Sequence, residues 1–163
     1  MVVFDLIFKI VSENIKEIKV DPETFTWGFC IQCSHCHTEQ PNEIYFTLQD
    51  EEEMQKGHGT ANFVMKCKDC KKLMTIAINN KTNKNPYTIE CTNGNDEATI
   101  CSFECRGCTI LKWVSKSDFI VVSNETETEF EGVDITDLWS EYDEKSGLML
   151  NILEPSTYKL EEQ

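Results

Sequence analysis

The 163 residues suffice for one ordinary domain, or for two small lobes that share a core and are stabilised by metal. Charged residues make up 27% and hydrophobic residues 40%, which is typical of a soluble globular chain and excludes the disordered and fibrous classes. The formal net charge of −14 disfavours binding to nucleic acid or anionic membrane, so we expect neither as a partner.

The first segment, MVVFDLIFKI, is apolar at alternate positions and predicts a strand with one buried face. It contains Asp5 and Lys9 and has neither a basic leader nor a small-residue cleavage site, so we expect no signal peptide. No stretch of the chain approaches the ~20 apolar residues that a membrane span requires.

The same alternation recurs along the chain and predicts roughly ten strands, with few helical patterns between them. The segments are 25–31, 44–48, 74–78, YTIEC, ATICSFEC, ILKWV, DFIVVS and GLMLNIL. Such a density of strands predicts an all-β fold, a sandwich or barrel of antiparallel strands. One short helix is predicted over 134–144, DITDLWSEYDE.

We predict a single compact unit over 1–163 that is built from two lobes. The Asn- and Lys-rich stretch 79–86 is the candidate joint, which gives a zinc-binding lobe over 1–80 and a second β lobe over 81–163. The segment NFVMKCKDC (62–70) resembles ICSFECRGC (100–108), and this echo indicates an internal duplication.

Nine cysteines are present, an odd number, and four of them form closely spaced pairs. This pattern favours metal ligation in a reducing compartment over a disulfide framework, so we expect a cytoplasmic protein.

Two Cys-x-x-Cys pairs, Cys33/Cys36 and Cys67/Cys70, are separated by 30 intervening residues. Each pair can form a turn that points two thiolates at one ion, and two such knuckles complete a tetrahedral site like that of a zinc ribbon. Four thiolates in a tetrahedron suit zinc or iron, and because nothing else in the sequence indicates redox chemistry we expect one zinc per chain. A site with four protein ligands has no open position, so its role should be structural.

The stretch CIQCSHCHTE contains further potential ligands, which we expect to remain outside the site. Cys30 and Cys33 have the same spacing as Cys33 and Cys36, but the position of Cys30 on the incoming strand favours the later pair. His35 and His37 are expected to be exposed turn residues.

The remaining cysteines could form a second metal site, although their spacing favours core packing. They are Cys91, Cys101, Cys105 and Cys108.

Catalytic motifs are lacking, so we expect the protein not to be an enzyme. The chain has no phosphate-binding loop, no His-Glu-x-x-His helix and no nucleophile elbow, and its three histidines are too few for convincing acid–base chemistry. Six lysines over 66–84 accompany a single acid, Asp69. Without stacking aromatics among them, these lysines are better interpreted as balancing the dianionic zinc tetrathiolate than as a nucleic-acid surface.

A candidate partner surface lies in ITDLWSEYDEK, where Trp139 and Tyr142 stand beside Asp143 and Glu144. Aromatic anchors with a charged rim are typical of interfaces, which favours a protein-interaction module with a basic, soluble protein partner. Alternatively, the two aromatic residues cap the core. We expect a monomer.

A different class of function is the handling of metal or thiols, as a zinc or copper carrier or a redox protein. Redox Cys-x-x-Cys pairs normally open a helix, and no helix is predicted after either pair.

These motifs together resemble the eukaryotic CXXC-motif-containing zinc-binding protein family, a group of small cytosolic proteins without an established reaction. The resemblance covers nearly the whole chain and rests on ENI (13–15), Trp27, CSHC, KGHGTANFVMKCKDC, FECRG and DLWSEYDEKSG. It implies an all-β molecule of two related lobes with one zinc on Cys33, Cys36, Cys67 and Cys70. Among the cysteines of the second lobe, only Cys105 matches the family pattern.

Overall fold

The computed structural model describes residues 1–54, 57, 59–114 and 117–163, and within them it contains sixteen β-strands and no helix. The strands are β1 Val2–Glu13, β2 Ile15–Lys19, β3 Trp27–Cys33, β4 Ile44–Phe46, β5 Glu52–Glu53, β6 Thr60–Ala61, β7 Phe63–Lys66, β8 Leu73–Ile78, β9 Thr88–Glu90, β10 Asn95–Arg106, β11 Cys108–Trp113, β12 Phe119–Ser123, β13 Glu129–Val133, β14 Trp139–Asp143, β15 Leu148–Ile152 and β16 Thr157–Glu162.

All strand pairs are antiparallel, which confirms the predicted fold class. The largest sheet has seven strands in the order β14-β15-β1-β10-β8-β7, with β16 also on β1. Smaller sheets have the orders β11-β3-β4, β13-β12-β2-β9 and β5-β6. The sequence underestimates the number of strands because short polar ones, such as the fully exposed β5, have no buried alternate positions.

The helix predicted over 134–144 is wrong. This segment enters β14, which pairs with β15 so that Trp139 lies opposite Ile152 and Asp143 opposite Leu148. On one face of the hairpin Leu150 and Ile152 are buried, and pairing to β15 decides the conformation of a segment whose helical periodicity is weak.

The hydrogen-bonded sheets cross the position near residue 80 where the sequence predicts a joint between lobes. Strand β1 pairs with β10, β2 with β12 and β3 with β11, and each pair joins the first half of the chain to the second. The two predicted lobes therefore share their sheets and one continuous hydrophobic core.

Aromatic side chains pack the seven-stranded sheet against the three-stranded sheet. Phe103 of β10 lies with its ring centroid 5.2 Å from that of Trp27, 4.9 Å from that of Phe29 and 6.0 Å from that of Phe46. All three pairs are edge-to-face, the arrangement that the quadrupoles of aromatic rings favour.

A single residue, Gly107, carries the chain from one of these sheets to the other. Arg106, which precedes it, pairs with Thr75 of β8, whereas Cys108, which follows it, pairs with Cys33 of β3. Gly107 has φ +75°, and a Cβ there would lie 2.3 Å from the carbonyl oxygen of Leu73. Both the left-handed backbone and the close approach require glycine.

The side chain of Asp143 is buried, so this residue does not belong to the partner surface that the sequence predicts. Its carboxylate accepts hydrogen bonds from the hydroxyl groups of Thr126 and Ser123, the latter at 2.7 Å. The Thr126 bond is the main cause that lowers the pKa of Asp143 to about 2. Asp143 thereby ties the β14–β15 hairpin to the end of β12.

We expect Gly107→Ala to destabilise the protein by about 2–4 kcal/mol. About 1–2 kcal/mol comes from the left-handed backbone and the rest from displacing the Leu73 carbonyl. Urea unfolding checks this, with Gly94→Ala as the control because a Cβ at Gly94 meets nothing within 4 Å. An unfolding midpoint for Gly107→Ala equal to that of the control would contradict the prediction.

We expect Asp143→Asn to lower the urea midpoint at pH 6, and the gap from the wild type to narrow as the pH falls. The depressed pKa means that the carboxylate stabilises the fold above its unfolded pKa of about 3.9, and that this stability is lost as the pH falls through about 2. Asp118→Asn, at an exposed position, is the control. A gap that stays constant down to pH 2 would show that the charge is not what stabilises this contact.

Candidate metal centre

The two Cys-x-x-Cys pairs form the tips of two hairpin-like turns. The first turn follows β3, and a bridge between Gln32 and Glu39 closes it. The second lies between β7 and β8, which pair as far as Lys66 and Leu73. Each turn is thus held by the sheet beneath it, one by the three-stranded sheet and the other by the seven-stranded sheet.

The two turns have the same backbone conformation. In the first, Cys33 N donates to Thr38 O at 3.0 Å and His37 N donates to Cys33 O at 3.0 Å. In the second, the equivalent bonds of Cys67 are 2.9 Å to Lys72 O and 3.1 Å from Lys71 N. His37 and Lys71, each four residues after the first cysteine of its turn, have φ of +61° and +64°. The two turns are therefore matching knuckles that direct their thiols alike.

The four thiols converge across the gap between the knuckles. The Sγ atoms of Cys33 and Cys70 are 3.6 Å apart, those of Cys36 and Cys67 are also 3.6 Å apart, and all four lie within 4.8 Å of one another. A tetrahedron of Zn–S bonds of about 2.3 Å has S···S edges of about 3.8 Å. The donor set and its spacing therefore fit a tetrahedral tetrathiolate metal site.

Burial of the four side chains is uneven. Cys33 and Cys67 are fully buried and belong to the hydrophobic core cluster, Cys70 is partly buried, and Cys36 is exposed. The core thus covers one side of the cluster, and solvent reaches it on the side of Cys36.

Hydrogen bonds and burial give Cys67 and Cys70 different affinities for a proton. The backbone N–H of Cys70 is the main cause that lowers the pKa of Cys67 to about 6, with help from the N–H of Asp69 and the Gln40 amide. The pKa of Cys70 is lowered by the N–H of Lys72, but burial and the neighbouring thiols outweigh this and raise it to about 11. These contacts favour the thiolate of Cys67 over that of Cys70, and a bound cation would displace the remaining protons.

A contact between the half-buried Thr38 and the exposed Asp69 also joins the knuckles. The hydroxyl of Thr38 donates to Asp69 Oδ2 at 2.8 Å and lies 3.4 Å from the Sγ atom of Cys36. Thr38 and Asp69 each follow a cysteine by two residues, but sequence reasoning did not identify either of them. Only their approach across the gap makes them partners.

The other potential ligands near the first knuckle lie apart from the four thiols. Cys30 alternates with the buried Phe29 and Ile31 and therefore faces the side of β3 opposite to Cys33. His35 and His37 are exposed, and neither belongs to the cluster. His58 lies outside the described residues.

The four remaining cysteines do not converge on one point. Cys91 follows β9 and donates to Ile89 O. Cys101 lies on β10 and accepts a hydrogen bond from the side-chain amide of Asn80. Cys105 and Cys108 lie on either side of Gly107, where the chain passes between the two sheets. Within residues 1–54, 57, 59–114 and 117–163, one group of at least three His, Cys, Asp or Glu side chains is close enough to share an ion. It consists of Cys33, Cys36, Cys67 and Cys70.

The predicted partner surface is only partly at the surface. Tyr142 is 52% exposed and Glu144 is exposed, but Trp139 is partly buried and packs against Phe130 with ring centroids 5.8 Å apart.

The six lysines of 66–84 are all exposed, and four of them, Lys66, Lys68, Lys71 and Lys72, lie in or beside the second knuckle. No helix in the described residues is long and apolar enough to cross a membrane.

Known proteins are similar to this chain in both sequence and fold. Residues 5–158 match the family described as CXXC motif containing zinc binding protein, eukaryotic. Proteins named CXXC motif containing zinc binding protein from Xenopus laevis and Homo sapiens are each 31% identical, over 94% and 90% of this chain and 95% and 90% of their own. A solved structure titled "Hypothetical protein from plasmodium falciparum" is 28% identical, with a TM-score of 0.87 over 99% of this chain and 100% of that one. With its four-cysteine cluster, the chain belongs to the eukaryotic family of CXXC motif containing zinc binding proteins.

Proposed function

We propose that the chain binds one zinc ion through the thiolates of Cys33, Cys36, Cys67 and Cys70, and that the ion has a structural role. The observation that carries the proposal is the convergence of the four Sγ atoms within 4.8 Å, with the spacing of a zinc tetrathiolate. Bound there, zinc would supply four bonds that join the three-stranded sheet to the seven-stranded sheet. With four protein ligands it keeps no position for water or substrate, so we assign no catalytic role.

We further propose that the zinc-stabilised fold serves as a protein-interaction module, with the β14–β15 hairpin as its contact surface. Of eight large hydrophobic side chains that are exposed in the described part of the chain, five lie between 138 and 153. These are Leu138, Tyr142, Leu148, Met149 and Leu153. Clustered exposed apolar side chains mark interaction sites more often than scattered ones.

Two of these side chains, Tyr142 and Met149, lie together on the outer face of the hairpin, whereas Leu148, opposite Asp143, belongs to the other face. Tyr142 lies directly opposite Met149 in the strand register, so the two side chains are neighbours on one face. Leu138 and Leu153 directly flank the pair Trp139–Ile152, at the end of the hairpin's ladder. Because Tyr142 and Met149 are both exposed, a partner can approach this face without displacing another strand.

The chemistry around the hairpin indicates the kind of partner. Asp137, Glu141, Glu144 and Glu154 are exposed around the apolar side chains, and the whole chain carries a net charge of −14. A soluble protein with a basic surface and an apolar centre complements this arrangement. We propose that the protein is cytoplasmic, since its nine cysteines are all free and free thiols suit a reducing compartment. We also propose that it is a monomer.

A second candidate function is metal delivery, and the exposure of Cys36 favours it. An incoming thiol could reach the ion from this side, whereas Cys33 and Cys67 are covered by the core. The rate at which the bound ion is released to a mild chelator distinguishes the two functions. A structural ion is retained for hours, whereas an ion meant for delivery is released within seconds to minutes.

We expect the purified protein to hold one zinc per chain, and single Cys→Ser changes at positions 33, 36, 67 and 70 to abolish retention during dialysis against a mild chelator. Each change removes one of four thiolates from a site whose total binding free energy is on the order of 10–16 kcal/mol. Elemental analysis measures the metal, and Cys30→Ser is the control that should retain full zinc. Two zinc ions per chain, or loss in Cys30→Ser with retention in Cys36→Ser, would contradict the assignment.

We expect the double change Tyr142→Ser, Met149→Ser to weaken capture of a cross-linked partner at least tenfold while the zinc content and the thermal transition stay unchanged. Both side chains are exposed, so their loss should cost binding rather than folding. Quantitative cross-linking in cell extract at two salt concentrations measures the effect, and higher salt should weaken capture by a basic partner.

The matched control for this experiment is Leu111→Ser on β11, whose side chain is 41% exposed. Equal capture by the wild type and the double variant, or an equal loss with Leu111→Ser, would reject the hairpin as the contact surface.

A further inference from the structure

Gln40 occupies a fixed, buried position between the two knuckles. Its side chain is only 8% exposed, and its backbone N–H donates to Ile31 O at 2.9 Å, which anchors the residue to β3. The neighbouring Glu39 bridges to Gln32 on the same strand. The amide group is therefore held in place by the first knuckle and its sheet.

The amide group of Gln40 bonds to both knuckles at once. Its Nε2 donates to Thr38 O at 3.2 Å in the first knuckle and to the Sγ atom of Cys67 at 3.4 Å in the second. Its Oε1 accepts from Lys68 N at 3.2 Å, also in the second knuckle. Two donors and one acceptor are all satisfied, so the amide can adopt only one orientation without losing a bond.

These bonds suit a thiolate that ligates a metal. An N–H group that donates to the sulfur stabilises its negative charge, and the neutral amide adds no charge to a dianionic tetrathiolate. A carboxylate of the same shape could still accept from Lys68 N, but it could not donate to Cys67 and would repel it. Groups that orient metal ligands in this way commonly contribute as much as 10–100-fold to affinity.

We propose that Gln40 is the positioning residue of the metal centre. Its amide holds the Cys67 thiolate of the second knuckle in place relative to the first knuckle before the ion binds. This inference rests on the proposed function, in which Cys33, Cys36, Cys67 and Cys70 bind zinc. Gln40 is not one of the four ligands and acts through Cys67.

The test compares zinc affinity, measured by competition with a chromophoric chelator, in the wild type, Gln40→Leu and Gln40→Glu. We expect both variants to bind zinc roughly 10–100-fold more weakly, with Gln40→Glu at least as weak as Gln40→Leu. The thiolate-to-cobalt absorption band of the Co²⁺-loaded proteins should also shift, since the hydrogen bond to one ligand sulfur is lost.

The matched control is Gln32→Leu, because the Gln32 amide donates at 2.9 Å to His37 O, within the first knuckle alone. It should retain zinc affinity within about threefold of the wild type. Gln40→Glu, which is nearly isosteric, keeps the test decisive should Gln40→Leu fail to fold.

Wild-type affinity and an unshifted cobalt band in a folded Gln40 variant would overturn the inference, as would an equal loss in Gln32→Leu. A wild-type protein that bound no zinc would refute the proposed function itself, and with it this inference.

Discussion

The close contact between Gly107 and the carbonyl of Leu73 is the constraint on which the metal centre depends. Leu73 begins the strand that leaves the second knuckle, and Gly107 O also accepts from Ser34 N at 3.0 Å in the first knuckle. One residue thus touches both knuckles and passes the chain between the sheets that carry them. Any side chain at this position would separate the sheets, and with them the pairs of thiols, because the Cβ atom would occupy the space of a backbone carbonyl.

The metal centre is continuous with the hydrophobic core. Cys33 and Cys67 belong to the same cluster of buried side chains as Phe103 and Trp27, whose edge-to-face contact joins the two sheets. In small zinc fingers the ion supplies most of the folding free energy, but here an extensive core already aligns the sheets. The Thr38–Asp69 contact and the Gln40 amide add bonds between the knuckles that require no metal. The core and these bonds therefore hold the two knuckles beside each other.

The proposed contact surface and the metal centre belong to different parts of the fold. The β14–β15 hairpin is joined to the seven-stranded sheet through β1 and is tied to β12 by Asp143, whereas the knuckles depend on β3, β7 and β8. Exposed acidic side chains rim the hairpin, while exposed lysines cover the second knuckle. The hairpin and the second knuckle thus carry exposed side chains of opposite charge.

Local pattern in the sequence determined the strands with one buried face and the two cysteine pairs, because period-two alternation and Cys-x-x-Cys spacing depend only on neighbouring residues. Such pattern also separated Cys30 from Cys33, since the two lie on opposite faces of β3. Only the tertiary structure decided that residues 139–143 form an edge strand, that Asp143 is buried, and that Gln40 reaches Cys67. Each of these depends on pairing between segments far apart in the chain, such as β3 with β11, and local periodicity does not encode that register.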